Sequence, residues 1–147
     1  QQSSLTEVVY DMCLSGETLF AGTATNGVVR STDNGITWQQ TSLRGITINV
    51  MDNIKGRVFA GTFGNGVYYS DNGGMTWQNT SVPEAPIFNP VAQYAFSTYY
   101  VASSEAIYVA SKLEGTWRRD TLPKPYSTGS FLPLSSSRVL NAHTLSG

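Results

Sequence analysis

The chain has 147 residues, within the usual size of one domain, and combines 13% charged residues with 14 glycines and 12% aromatics, a balance that suits short strands and tight turns better than surface helices. Its formal net charge is -1, and three lysines (Lys55, Lys112, Lys124) and six arginines are spread along it, so no basic stripe gathers phosphates and nucleic acid is not an expected partner. No window approaches the roughly 20 apolar residues of a membrane-spanning helix, and no basic segment followed by an apolar one opens the chain.

The first apolar run, Val8-Val9-Tyr10-Asp11-Met12-Cys13-Leu14, predicts a strand near 8–14. It holds the only cysteine, so no intrachain disulfide forms, and Cys13 reads as a buried thiol acting as a small hydrophobe. Strands are predicted next near 17–24, 27–31 and 36–41. The connections Ser15-Gly16, Thr25-Asn26-Gly27 and Asp33-Asn34-Gly35 supply residues that tolerate positive φ, as hairpin turns require.

The pattern then returns. Leu19-Phe20-Ala21-Gly22-Thr23 recurs as Val58-Phe59-Ala60-Gly61-Thr62, Asn26-Gly27-Val28 as Asn65-Gly66-Val67, and Thr37-Trp38-Gln39 as Thr76-Trp77-Gln78, all at an offset of 39. A worn third copy places Ala106-Ile107-Tyr108 where Gly27-Val28-Val29 stood, with Thr116-Trp117 following Thr76-Trp77 by 40. In a fourth, Val139-Leu140-Asn141-Ala142 matches Leu19-Phe20-Ala21-Gly22, which puts Gly147 on the hairpin position of Gly27.

Four strands in a unit of about 40 residues is the arithmetic of a β-propeller blade. The fold class expected is all-β: a partial propeller with blades over about 5–43, 44–83 and 88–123 and the start of a fourth over about 128–147. Helical repeats are disfavoured because no segment sustains the i, i+3, i+4, i+7 apolar spacing. Residues 81–90, with Pro83, Pro86 and Pro90, predict an inter-blade loop, and Pro123-Lys124-Pro125 its counterpart one blade later. Because the fourth copy stops in mid-blade, further blades are expected in the same or another chain.

Ser31-Thr32-Asp33-Asn34-Gly35-Ile36-Thr37-Trp38 resembles the Asp-box, also called the bacterial neuraminidase repeat, at every position of Ser-x-Asp-x-Gly-x-Thr-Trp. The second copy keeps Ser70, Gly74, Thr76 and Trp77 but has Asn72 at the Asp position. The third keeps only Thr116 and Trp117 in register. The resemblance implies a hairpin between the third and fourth strands of each blade, its acidic and hydroxyl side chains bonding local backbone and its Trp packing between strands or blades. Ser31, Asp33, Gly35, Thr37 and Trp38 are thus structural, as are their counterparts, in keeping with how short polar side chains satisfy turn amides. The resemblance also implies that this turn lies away from the usual active face.

No catalytic, cofactor or metal site is assembled by the sequence. Sialidases with Asp-boxes need an arginine cluster, a tyrosine nucleophile and carboxylates, whereas Arg30, Arg44, Arg57, Arg118, Arg119 and Arg138 do not recur at matching blade positions. Asp11 and Asp52 fall on predicted innermost strands but stand 41 apart, off the repeat offset, and read as strand-end or turn carboxylates rather than a glycosidase pair. His143 is the only histidine, which removes zinc clusters and leaves a Ser-His-Asp set without a nucleophile elbow.

The function expected is a non-catalytic propeller module, secreted, periplasmic or lumenal, that presents loops on one face to a protein partner or larger complex. The resemblance embraces assembly factors for photosynthetic complexes, sorting receptors, and sensor or adhesin ectodomains. The alternative is carbohydrate binding, as a lectin-like array or as part of a glycoside hydrolase whose catalytic residues lie elsewhere. It would need several of Tyr68, Tyr69, Tyr94, Tyr99, Tyr100, Tyr108 and Tyr126 to face solvent together as glycan-stacking platforms.

Overall fold

The computed structural model describes residues 5–82, 93–95, 98–103 and 106–121. They hold twelve strands and no helix. β1 (Val9–Ser15), β2 (Thr18–Thr23), β3 (Val28–Ser31) and β4 (Gln39–Gln40) form one antiparallel meander. β5 (Ile48–Ile54), β6 (Arg57–Thr62), β7 (Val67–Ser70) and β8 (Gln78–Asn79) form a second, and β9 (Gln93–Ala95), β10 (Thr98–Ala102), β11 (Ala106–Ala110) and β12 (Arg118–Thr121) a third. The expected all-β architecture of four-stranded antiparallel blades is the one observed. The fourth copy, the proline-rich connections at 83–90 and 123–125, Tyr126, Arg138 and His143 lie outside the described residues.

Strand registers reproduce the repeat. Met12 pairs with Ala21 as Met51 does with Ala60, and both first strands shift register at the same place, between Val9 and Asp11 and between Ile48 and Val50. Each β2–β3 type of hairpin closes on a buried hydroxyl: Thr23 Oγ1 donates to Gly27 O (2.8 Å), Thr62 Oγ1 to Gly66 O (2.8 Å) and Ser103 Oγ to Ala106 O (3.2 Å). The fourth strands are shorter than the expected 36–41. Residues 33–38 are held by the box turn, which leaves two residues, Gln39 and Gln40, to pair with β3.

The core lies between blades, not within one. Phe20 and Val28 of the first blade pack with Ile48, Met51 and Val58 of the second, and Phe59, Val67 and Tyr69 of the second pack with Val101, Tyr108 and Trp117 of the third. Small residues permit the close approach. A Cβ on Gly22 would stand 2.6 Å from Ile48 Cγ2 and 3.2 Å from Met51 Cγ, so only glycine lets the second blade seat there.

Polar side chains fix the seam between the first two blades. Thr47 Oγ1 donates to Ala24 O (2.7 Å), Asn53 Nδ2 to Leu14 O (2.8 Å) and Arg30 NH1 to Gly73 O (2.7 Å).

Candidate functional site

The first Asp-box is a closed hydrogen-bond set. Ser31 Oγ accepts from Gly35 N (2.8 Å) and donates to Asp33 Oδ1 (2.7 Å). Asp33 also accepts from Thr37 N (2.8 Å) and Thr37 Oγ1 (2.5 Å), and Trp38 Nε1 donates to Gly35 O (3.1 Å). Thr37 and Ser31 hold the Asp33 carboxyl down at about 2.

In the second box Asn72 takes the same place, accepting from Thr76 N (3.0 Å) and donating from Nδ2 to Thr76 Oγ1 (2.8 Å), while Gly74 N donates to Ser70 Oγ (2.9 Å). An amide thus substitutes for the carboxylate because the hydroxyl can reverse its role from donor to acceptor. The third turn lacks both side chains and closes through Gly115 N to Lys112 O (3.3 Å).

The tryptophans are equivalent in sequence but not in surroundings. Trp117 is buried, and its Nε1 donates to Thr80 O in the second blade. Trp38 and Trp77 are half-buried, Trp77 packing against the core between the first two blades.

The inner-strand carboxylates are engaged in backbone bonding. Asp11 Oδ1 accepts from Met12 N (2.8 Å), and Oδ2 reaches across the seam to Met51 N (2.9 Å), so Asp11 straps β1 to β5. Asp52 Oδ1 accepts from Asn53 N (2.7 Å). Asp52 pairs with Phe59 as Cys13 pairs with Phe20, so the position equivalent to Asp52 is Cys13, not Asp11. Cys13, expected to be buried, is half-buried; burial, reinforced by Asp52 and Asp11, pushes its thiol up to about 12, which disfavours the reactive thiolate. Burial also raises the Asp52 carboxyl, with Asp11 adding to the shift.

Arg118 and Arg119 lie exposed on β12. Among the described residues no group of three His, Cys, Asp or Glu side chains could hold a metal ion, and no helix is long and apolar enough to cross a membrane.

Two features escape the motif reading. Val8, just before β1, and Tyr10, Met12 and Leu14 within it form a row of exposed apolar side chains, 62%, 56%, 46% and 56% exposed. The second is a cleft between the second and third blades, lined by Ile54, Lys55, Gly56, Arg57, Asp71 and Tyr99. Alternation of apolar residues in β1 could have signalled the row. Comparing the copies for charged departures from the repeat could have signalled the cleft.

The geometry of the turns agrees with the sequence comparison, in which the BNR/Asp-box repeat model matches residues 29–40 and 68–79. The chain carries BNR/Asp-box repeats. No curated protein matches the sequence of this Asp-box chain. Among solved structures it is similar to an extracellular domain of BT4673, a B. thetaiotaomicron protein named as a one-component system, with a TM-score of 0.63 and 13% identity. The match covers 78% of the Asp-box chain and 17% of the other, so the chain spans less than a fifth of its neighbour's length, and the likeness is one of fold.

Proposed function

We propose that the Asp-box chain is a non-catalytic interaction and assembly module, secreted, periplasmic or lumenal, whose first-blade face docks a further protein sheet. The observation that carries this reading is the β1 row. Thr47, just before β5, and Asn49, Met51 and Asn53 within it occupy the same register in the second blade, where Met51 is only 5% exposed because the first blade covers it. Val8, Tyr10, Met12 and Leu14 form the corresponding seat on the first blade, and exposed apolar surface of that kind marks a contact face. The Asp-box and inner-strand carboxylates support a structural assignment because their hydrogen bonds go to their own turns and seams. An extracellular location is in keeping with the solved neighbour, itself an extracellular domain.

Glycan stacking is less well supported. Among the described side chains Tyr69 and Tyr108 are buried and Tyr68, Tyr99 and Tyr100 are half-buried, so no shared tyrosine platform faces solvent. Tyr94 and Tyr126 lie outside the described side chains.

The test is the state of association in solution. The chain should run above its 15.9 kDa monomer mass, and Met12→Lys with Leu14→Lys should return it to a monomer without loss of β structure. A wild-type chain that stays a monodisperse, cooperatively folded monomer of 15.9 kDa would remove this reading.

A further inference from the structure

The chain contains four Asn-Gly pairs, Asn26-Gly27, Asn34-Gly35, Asn65-Gly66 and Asn72-Gly73. Such a pair has a chemistry of its own. Because glycine has no side chain, its amide nitrogen can approach Cγ of the preceding asparagine and displace ammonia, closing a cyclic imide that water reopens. A fold suppresses this wherever it engages the glycine nitrogen or gives the turn no room to move.

Three of the pairs are protected. Gly27 and Gly66 are buried beneath the chain that follows their blades: a Cβ would stand 2.2 Å from Leu43 O at the first and 2.9 Å from Val82 O at the second. Asn26 is further fixed by Nδ2, which donates to Glu7 Oε1 (2.6 Å). In the first box Gly35 N is engaged, donating to Ser31 Oγ (2.8 Å). In the second box the pair stands one place earlier, so the nitrogen engaged by the box serine is that of Gly74. Gly73 N makes no hydrogen bond among the described residues. Asn72 and Gly73 are both exposed, and a Cβ on Gly73 would meet nothing within 4 Å.

The box also prepares the electrophile. Asn72 Oδ1 accepts from Ser70 Oγ (3.0 Å) and from Thr76 N (3.0 Å), while Nδ2 donates to Thr76 Oγ1 (2.8 Å). The oxygen that gains negative charge when a nucleophile adds to Cγ therefore already holds two donors, the arrangement that stabilises a tetrahedral intermediate. Arg30 NH1 donates to Gly73 O (2.7 Å) and ties that residue to the first blade.

We infer that Asn72 is a self-modifying site, at which Gly73 N displaces the side-chain amide and hydrolysis leaves an aspartyl residue in the second box. The Gly73 N–Cγ bond forms, the Cγ–Nδ2 bond breaks, and Nδ2 departs as ammonia with the proton that Gly73 N gives up. Water then adds to Cγ, the Gly73 N–Cγ bond breaks, Gly73 N regains a proton, and Cγ keeps the added oxygen as a carboxylate. Water adding to the main-chain carbonyl would give an isoaspartyl link instead, lengthening a backbone held by Arg30 and by the box bonds. The donors at Oδ1 direct the addition to Cγ. The product has the carboxylate that Asp33 supplies in the first box, where it takes both Thr37 N and Thr37 Oγ1. The Thr76 hydroxyl need only turn from acceptor to donor. This site is independent of the docking face on β1.

The experiment is peptide mapping by mass spectrometry of the chain held in mildly alkaline buffer, folded and in urea, with aspartyl and isoaspartyl products separated and Asn72→Asp as the standard. In the folded chain position 72 should convert ahead of 26, 34 and 65, chiefly to aspartyl. In urea the four rates should converge and the isoaspartyl share should rise. Ser70→Ala, which removes one donor to Oδ1, should slow conversion at 72 about tenfold. Gly73→Asn gives the turn the residue that the first box holds there, Asn34 at φ 57, so it should fold while its side chain hinders the attack at 72. Conversion at 72 no faster than at the protected pairs, a mainly isoaspartyl product in the folded chain, or an unchanged rate at 72 in folded Ser70→Ala or Gly73→Asn would each overturn the assignment.

Discussion

Asp33 holds Thr37 twice, taking the backbone N–H at 2.8 Å on Oδ1 and the hydroxyl at 2.5 Å on Oδ2. Those bonds are stronger to the ionised carboxylate than to the protonated acid, which is why the group titrates at about 2 in place of its ordinary 3.8. A carboxyl lowered by folding contributes stability above its unfolded value and loses it as pH falls through the folded one. Stability owed to the first box should therefore decline between about pH 4 and pH 2. Urea midpoints across that window should show a drop in the wild type that is reduced in Asp33→Asn, which mimics the Asn72 arrangement. The effect is modest because the site is solvent-screened.

Gly35 and Gly74 share the box position and nearly the same backbone, φ 84 and φ 79, but not the same neighbours. A Cβ on Gly74 would stand 2.8 Å from Phe20 Cε1 and 3.3 Å from Thr41 Cγ2, whereas on Gly35 its nearest contact is Trp38 at 3.7 Å. Both alanine variants carry the same backbone strain, so their difference isolates packing across the seam. Gly74→Ala should cost about 1–3 kcal/mol more than Gly35→Ala in chemical denaturation.

The tryptophans offer a second paired comparison. Trp117 Nε1 donates to Thr80 O, while Trp77 Nε1 is buried and makes no hydrogen bond among the described residues. Replacing Trp117 by Phe leaves a buried carbonyl without that donor, whereas replacing Trp77 by Phe removes an unsatisfied one. Trp117→Phe should therefore be the more destabilising by about 1–2 kcal/mol in equilibrium unfolding.

Cys13 should resist alkylation in the native chain at about pH 8 and react promptly once the chain is unfolded, because the fold keeps its proton on. The folded value is raised from 9.0 to about 12, so the native state binds more protons than the unfolded one between those limits. Stability should accordingly fall as pH rises through that range, and Cys13→Ala should lessen the fall. Iodoacetamide labelling with and without urea checks the first point, and alkaline denaturation of the two proteins checks the second.

Much of the fold was legible because the box is a local device. Ser31, Asp33, Gly35 and Thr37 interact within one turn, so seven consecutive residues carry the whole geometry. The third blade was harder to read because Ala110, Lys112 and Glu114 stand where Ser70, Asn72 and Gly74 do, and its turn relies on a backbone bond that leaves no residue signature. The Asp11 strap was invisible for a different reason: its partner is the main-chain amide of Met51, which any residue but proline would offer. The cleft lies at positions where copies disagree, and a search for likeness passes over such positions.

The seam between the first two blades has a consequence for how such arrays change. Thr47 and Asn53 side chains bond carbonyls of the preceding blade, but the side chains of Val8 and Leu14, standing at the same register on the first blade, carry no donor. Blades that share a framework are therefore not interchangeable parts. Each front face is keyed to one neighbour, so duplicating or exchanging a blade would set apolar side chains against carbonyls that need donors, and serial order is enforced by chemistry at the joints.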